Sequence, residues 1–144
     1  MFRRPVRPVR RVFLHCSASD RPEHSNIETI RRWHLARGFA DIGYHFFIGF
    51  DGSIMPGRSL ERIPAAQRGH NQDSIAICLA GGQHGRDNAF TSRQYQALRG
   101  LCRAINDAYD GRVTFHGHSE VANKACPVYA VSYTHLTLPT TSRV

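Results

Sequence analysis

The chain has 144 residues, carries a formal net charge of +8 and has four cysteines, none of them in a CxxC pair. This length is typical of one domain, and buried free thiols in a reducing compartment explain the cysteines better than a disulfide scaffold does. No apolar run approaches the roughly 18 residues of a membrane span, and no stretch of signal-peptide type follows the N-terminus, so we expect a protein that is cytoplasmic when synthesised.

The positive charge is concentrated near the N-terminus. Residues 3–11 carry five of the 19 basic side chains and no acidic one, whereas the rest of the chain is nearly balanced. The prolines in this stretch favour an extended conformation. Composition therefore favours a flexible, solvated leader over residues 1–10. The alternative is an arm that binds phosphate, an anionic cell-wall polymer or nucleic acid.

The first predicted element is a buried strand over residues 11–16, RVFLHC, which delivers His15 near its end. Ser25 followed by Glu28 has the spacing of a capping box, which predicts the start of a helix that ends at Gly38. Four residues of this helix lie on or near one face: Ile27, Ile30, His34 and Leu35.

The aromatic stretch after this helix predicts a hairpin. We expect a strand to begin at Tyr44 and His45, and Asp51-Gly52 is typical of a two-residue hairpin turn. Residues 60–73 have no clear periodicity and predict a loop that is long enough to have a function. The stretch SIAICLAGG that follows predicts a buried strand ending in two glycines.

The second half of the chain predicts one more helix and one more strand. Thr91 and Gln94 have capping-box spacing, and apolar residues then repeat at helical spacing up to Gly111. VTFHGH predicts a short strand with His118 at its exit. The order β-α-β-β-β-α-β indicates an α/β fold, in which a single domain over residues 11–130 has a mixed central β-sheet flanked by helices.

Three residues that are far apart in the chain form a candidate zinc site at the strand ends. His15 and His118 each come at the end of a predicted strand, and Cys126 follows in the run GHSEVANKACP. Two imidazoles and one thiolate leave the fourth coordination position open, as in catalytic zinc sites. One Zn²⁺ ion held in this way lowers the pKa of a bound water toward about 7.

Two further residues are candidates for catalysis. Lys124 is the only lysine, since 18 of the 19 basic residues are arginine, and a compact ammonium beside a ligand suggests a catalytic cation. The phenol of Tyr44 is the other candidate donor to a tetrahedral oxyanion. Taken singly, the site residues also have structural explanations, as a strand-end histidine, a buried thiol, a surface cation and a strand aromatic. Three other histidines are interpreted as supporting the site or the fold: His34, His45 and His116.

Three separated motifs carry a resemblance to a known family. WHLARGFADIGYHFFIGFDG, NQDSIAICLAGG and GHSEVANKACP occur in this order, and the likeness spans roughly residues 11–129. The chain closely resembles the zinc-dependent N-acetylmuramoyl-L-alanine amidases of the phage lysozyme type, whose superfamily includes the peptidoglycan recognition proteins. The resemblance implies two residues that assist catalysis, Tyr44 and Lys124, and three zinc ligands, His15, His118 and Cys126.

The chain departs from the family pattern at two positions. Many relatives have a histidine in the loop before the strand SIAICL, where this chain has Ala66 at the nearest position, so we expect Arg68 or His70 to contact substrate instead. Relatives also commonly have proline at the position of Asn123, so the rigidity that a proline would give the Lys124 loop is not expected from this sequence. Neither departure touches the expected metal ligands.

The last 14 residues do not fit the domain. From about Val131 onward the sequence has no acidic residue and no helical period, and it resembles the translation of a sequencing adapter. We therefore predict that the natural chain differs over residues 131–144, and we give His135 no function.

The resemblance implies a peptidoglycan hydrolase, most typical of a phage endolysin, that cleaves the amide bond between the lactyl group of N-acetylmuramic acid and L-alanine. We expect it to be a monomer that acts on the bacterial cell wall after release from the cytoplasm and has no nucleic-acid partner. One alternative is a non-catalytic peptidoglycan-binding protein of the same fold, in which a zinc ligand would be missing; none is missing here. The other is a basic nucleic-acid-binding regulatory protein that uses the leader.

Overall fold

The computed structural model describes residues 2–82, 90–122 and 126. Its strands are β1 (Arg11–Cys16), β2 (Phe46–Ile48), β3 (Ile54–Pro56), β4 (Ser74–Leu79) and β5 (Thr114–Gly117), and its helices are α1 (Ile27–Ala36) and α2 (Ser92–Ala108). The strands form one mixed sheet in the order β3-β2-β4-β1-β5. The α/β fold with a mixed central sheet is therefore confirmed.

The central strands β1 and β4 are buried on both faces. They pair in parallel, β5 and β2 add to them in parallel, and β3 runs antiparallel to β2. Because parallel strands are covered on both sides, β1 and β4 are almost continuously apolar in sequence. Successive side chains still alternate between the two faces. Leu14 therefore packs with α2, and the next residue, His15, points to the opposite face.

Each helix covers its own face of the sheet. Leu14 and Ile77 pack with Leu98 of α2 in one apolar cluster, whereas Phe47 and Cys78 pack with α1 in the other. Fully burying a side chain of this size stabilises the fold by about 1.5–3 kcal/mol. Among the described residues, no helix combines the length and the apolarity that a membrane crossing requires.

The two helices begin with different capping side chains. Thr91 and Gln94 form the predicted capping box at the start of α2. The prediction that Ser25 caps α1 is wrong, because Asn26 accepts from the backbone N–H of Glu28 at 2.7 Å and is the capping residue. The Ser25 hydroxyl instead accepts from the backbone N–H of Phe50 at 2.8 Å. The Ser25 side chain thus makes a tertiary hydrogen bond in place of the helix cap that local spacing predicted.

The hairpin differs from its predicted form in two ways. Strand β2 begins at Phe46, two residues later than predicted, so Tyr44 and His45 precede it. The connection from β2 to β3 spans residues 49–53, where a two-residue turn at Asp51-Gly52 was predicted. Gly52 has a φ of 86°, which is the left-handed conformation that glycine adopts at low cost.

The N-terminal leader lies against the domain. The Arg7 guanidinium donates to the backbone carbonyls of Leu60 and Ser74, both at 2.7 Å. Val9 is buried, and the ring of Phe2 lies 6.4 Å from that of Phe46. Composition did not predict these contacts, because charge and proline content carry no information about the carbonyls that Arg7 reaches.

His45 is a buried structural histidine. Its Nδ1 accepts from the backbone N–H of Ala76 at 3.1 Å, so the neutral ring carries its proton on Nε2, which donates to the carbonyl of Arg62 at 2.8 Å. Burial lowers the pKa of His45 to about 4. The folded protein therefore holds this imidazole uncharged at neutral pH.

This histidine makes stability depend on pH. Between about pH 6.5 and pH 4 the unfolded chain binds a proton at His45 that the folded chain does not, so stability falls as the pH is lowered through this range. We expect the melting temperature of the metal-free protein to drop on acidification, and to drop less steeply in His45→Gln, which does not titrate. Thermal denaturation across this range measures both slopes, and equal slopes would contradict the prediction.

Candidate metal centre

The pairing of two neighbouring strands places two histidines side by side. In the parallel register between β1 and β5, Leu14 lies opposite Gly117, so His15 and His118 occupy equivalent positions at the carboxyl ends of the strands. Their ring centroids are 4.6 Å apart, and both side chains are buried. The end of β1 and the turn that directly follows β5 thus place two imidazoles side by side at the carboxyl edge of the sheet.

Cys126 completes the cluster from a distant part of the chain. Its sulfur lies 3.8 Å from Nδ1 of His15 and accepts the backbone N–H of Cys16 at 3.2 Å. The candidate ligand atoms of His15, His118 and Cys126 all lie within 4.8 Å of one another. Tetrahedral zinc, with bonds of about 2.0–2.1 Å to nitrogen and 2.3 Å to sulfur, requires ligand atoms roughly 3.3–3.6 Å apart, so small adjustments suffice. The donor set and its spacing fit zinc.

The thiol of Cys126 is protonated when no cation is bound. Its pKa is raised above the ordinary value, chiefly by the neighbouring Cys16 side chain and also by burial. A metal ion must therefore displace a proton from this sulfur, and its affinity for the cluster falls as the pH is lowered.

Tyr44 borders the cluster on the α1 side of the sheet. Its ring lies 5.2 Å from the ring of His15 and 5.3 Å from that of His34. Burial raises the pKa of Tyr44 well above its ordinary value, so the phenol stays protonated at neutral pH and keeps an O–H to donate. A cavity of about 260 Å³ opens beside it, lined by Ser17, Ile30, Trp33, His34, Arg37 and Tyr44.

His34 supports the backbone next to Tyr44. Its Nδ1 accepts from the backbone N–H of Gly43 at 2.8 Å. Burial, together with the positive charges of Arg37 and Arg58, lowers the pKa of His34 to about 4. The ring is therefore neutral at physiological pH and makes a fixed contact with the chain that carries Tyr44.

The other predicted site residues lie apart from the cluster or outside the described residues. Nδ1 of His70 lies 3.3 Å from the Arg11 guanidinium, and Nδ1 of His116 lies 2.8 Å from the Glu120 carboxylate. Arg68 is exposed. Lys124 lies outside the described residues, as do Asn123 and the tail over residues 131–144. The catalytic role of Lys124 stays a prediction.

Sequence reasoning missed one residue at the cluster, Gln67. Its side-chain oxygen lies 2.9 Å from Nε2 of His15, and the residue is fully buried. The only local signal was that residues 60–73 predict a loop with a function, because no periodicity or motif distinguishes Gln67 from its neighbours. Its contact with His15 spans 52 positions and arises only on folding.

The comparison with known families agrees with this architecture. The family described as N-acetylmuramoyl-L-alanine amidase matches residues 5–129. The chain belongs to this amidase family. Among curated proteins, this amidase is 39% identical over 121 residues to the endolysin of Escherichia phage T7, covering 82% of this chain and 80% of that protein. It is 38% identical over 121 residues to the endolysin of Klebsiella phage KP32, with the same coverage.

Solved structures of this amidase fold extend the likeness to the whole domain. The Ph2119 endolysin from the Thermus scotoductus MAT2119 bacteriophage superimposes with a TM-score of 0.77 at 27% identity, covering 92% of this chain and 88% of that chain. The described strands and helices of this amidase thus form a fold that this phage endolysin shares.

Proposed function

We propose that this chain is a peptidoglycan hydrolase that cleaves the amide bond between the lactyl group of N-acetylmuramic acid and L-alanine, with one zinc ion held by His15, His118 and Cys126. The observation that carries the proposal is the convergence of these three side chains, with ligand atoms within 4.8 Å of one another, in a member of the amidase family. The endolysin relatives support a phage protein that acts on the bacterial cell wall.

The three ligands determine what a bound cation can do. Zinc held by three protein side chains acts as a Lewis acid and activates water at its fourth position. Two neutral imidazoles and one thiolate leave a net charge of about +1 at such a centre, since only Cys126 contributes a negative charge. All three ligands come from a single chain, which supports a monomer as the active form.

Tyr44 and Lys124 are proposed to stabilise the oxyanion that forms on the lactyl carbonyl. The Tyr44 phenol is a neutral donor next to His15, and its raised pKa prevents it from becoming an anion that would repel the developing charge. Lys124 contributes the compact cation that the family resemblance implies at this position. We propose that the cavity on the α1 side of Tyr44 accepts the part of the substrate that adjoins the scissile amide.

The proposal predicts zinc-dependent release of peptide from cell walls. Purified protein incubated with murein should generate free L-alanine N-termini, treatment with a chelator should abolish their formation, and restored zinc should recover it. End-group labelling measures the product, and elemental analysis measures the metal. Equal hydrolysis by metal-free protein would exclude the zinc mechanism, whereas murein binding without any hydrolysis would favour the non-catalytic alternative.

A further inference from the structure

The side chain of Gln67 joins a fully buried chain of hydrogen bonds that ends at His15. Its amide oxygen lies 2.9 Å from Nε2 of His15, and its amide nitrogen donates to the Ser74 hydroxyl at 2.5 Å and to the His70 carbonyl at 3.3 Å. Gln67, His15 and Ser74 are each at most 1% exposed. Buried polar groups of this kind have a single favourable arrangement of donors and acceptors.

That arrangement determines which ring nitrogen of His15 carries the proton. The backbone carbonyl of His70 can only accept, so the amide nitrogen of Gln67 must face it and the amide oxygen must face His15. An oxygen that can only accept requires Nε2 of His15 to carry the hydrogen. The lone pair is therefore on Nδ1, which lies 3.8 Å from the Cys126 sulfur, inside the cluster.

The backbone around Gln67 is also fixed. Asn71 accepts with its side-chain oxygen from the backbone N–H groups of Ala66 at 3.1 Å and Gln67 at 2.9 Å. The Ser74 hydroxyl, at the start of β4, donates to the carbonyl of Asn71 at 3.0 Å. The loop that carries Gln67 is thus tied to the same strand that supports the sheet beneath His15.

We infer that Gln67 is a positioning residue that holds His15 in the tautomer and ring orientation required to bind the metal. The inference rests on the proposed zinc site, because it assigns Nδ1 of His15 as the atom that faces the cation. Partners of this kind raise the basicity of a ligating imidazole and remove the cost of rotating it on binding. Gln67 would act through His15 and not as a ligand, since its side-chain oxygen faces Nε2 of His15.

Gln67→Met tests the inference, because methionine fills a similar volume but accepts no comparable hydrogen bond. We expect its zinc affinity, measured by competition with a chromophoric chelator, to fall by about 10- to 100-fold. Gln94→Met is the matched control: it makes the same replacement at another fully buried glutamine, whose amide bonds the backbone of Ile48, Ala80 and Thr91. It should lower thermal stability while leaving zinc affinity unchanged.

A second measurement works on metal-free protein and separates this inference from the proposed function. Nitrogen-15 NMR of the imidazole of His15 should show a protonated Nε2 in the unaltered protein and in Gln94→Met, and a mixture of tautomers in Gln67→Met. If the protein bound no zinc, the proposed function would fail while this tautomer result could still hold. Unaltered zinc affinity in Gln67→Met, or a proton on Nδ1 of His15 in the unaltered protein, would overturn the inference.

Discussion

Cys126→Ser is expected to lose zinc under conditions in which the unaltered protein retains it. In the proposed zinc site the Cys126 thiolate is the softest donor and contributes the only negative charge, and a neutral hydroxyl replaces neither property. The backbone N–H of Cys16, which stabilises the thiolate at 3.2 Å, cannot compensate for its loss. Zinc content by elemental analysis and release of L-alanine N-termini from murein should fall together.

Cys16→Ala is the matched control for this substitution. It removes the neighbouring buried sulfur but keeps the backbone N–H that donates to Cys126. We expect this variant to keep its zinc and to lose only stability, because a small cavity replaces the side chain. Full zinc occupancy in Cys126→Ser would show that Cys126 is not a ligand.

Tyr44→Phe is expected to lower kcat by about 10²- to 10³-fold, the usual cost of removing one donor to an oxyanion. Phenylalanine keeps the ring that packs 5.2 Å from His15 and removes only the hydroxyl, so zinc content should not change. Burial raises the pKa of Tyr44, so the hydroxyl of the unaltered protein remains a donor throughout the neutral range. Steady-state kinetics on a soluble muropeptide, with metal analysis of the same sample, measure both quantities.

Tyr109→Phe serves as the comparison for Tyr44→Phe. Tyr109 is 6% exposed, and its hydroxyl has no hydrogen-bond partner among the described residues. Removing this hydroxyl should leave both kcat and zinc content unchanged. A kcat in Tyr44→Phe that equals that of Tyr109→Phe would remove Tyr44 from the mechanism.

Local sequence patterns were sufficient for the elements in which every local signal agrees. Strand β1 has the predicted bounds, residues 11–16, and α2 begins at the predicted capping box of Thr91 and Gln94. In both, periodicity and end signals point to the same structure. The predictions were wrong where a side chain had two possible partners. Ser25 caps nothing in α1, since its hydroxyl binds the backbone N–H of Phe50, which lies 25 positions away.

Local sequence patterns also did not predict which residues of α1 are exposed. Leu35 was placed on or near one helical face with Ile30 and His34, yet it is 47% exposed, whereas Ile30 and His34 are buried. The surface against which a short helix packs determines which of its side chains are buried. In α1 that surface is formed by Phe47 and Cys78 of the sheet. Helical spacing alone does not contain that information.

The sequence by itself determined the chemical inventory: two histidines at strand ends, a cysteine in a family motif, a tyrosine after the first helix and one lysine. The tertiary structure decided which of the described residues in this inventory lie next to one another. Strand β5 lies beside β1, which brings His118 next to His15 although 103 positions separate them in the chain. It also decided that Gln67 contacts His15 and that the leader lies on the domain. Residue type and spacing report the local backbone, whereas strand pairing and buried hydrogen bonds depend on contacts between distant segments that form only when the chain folds.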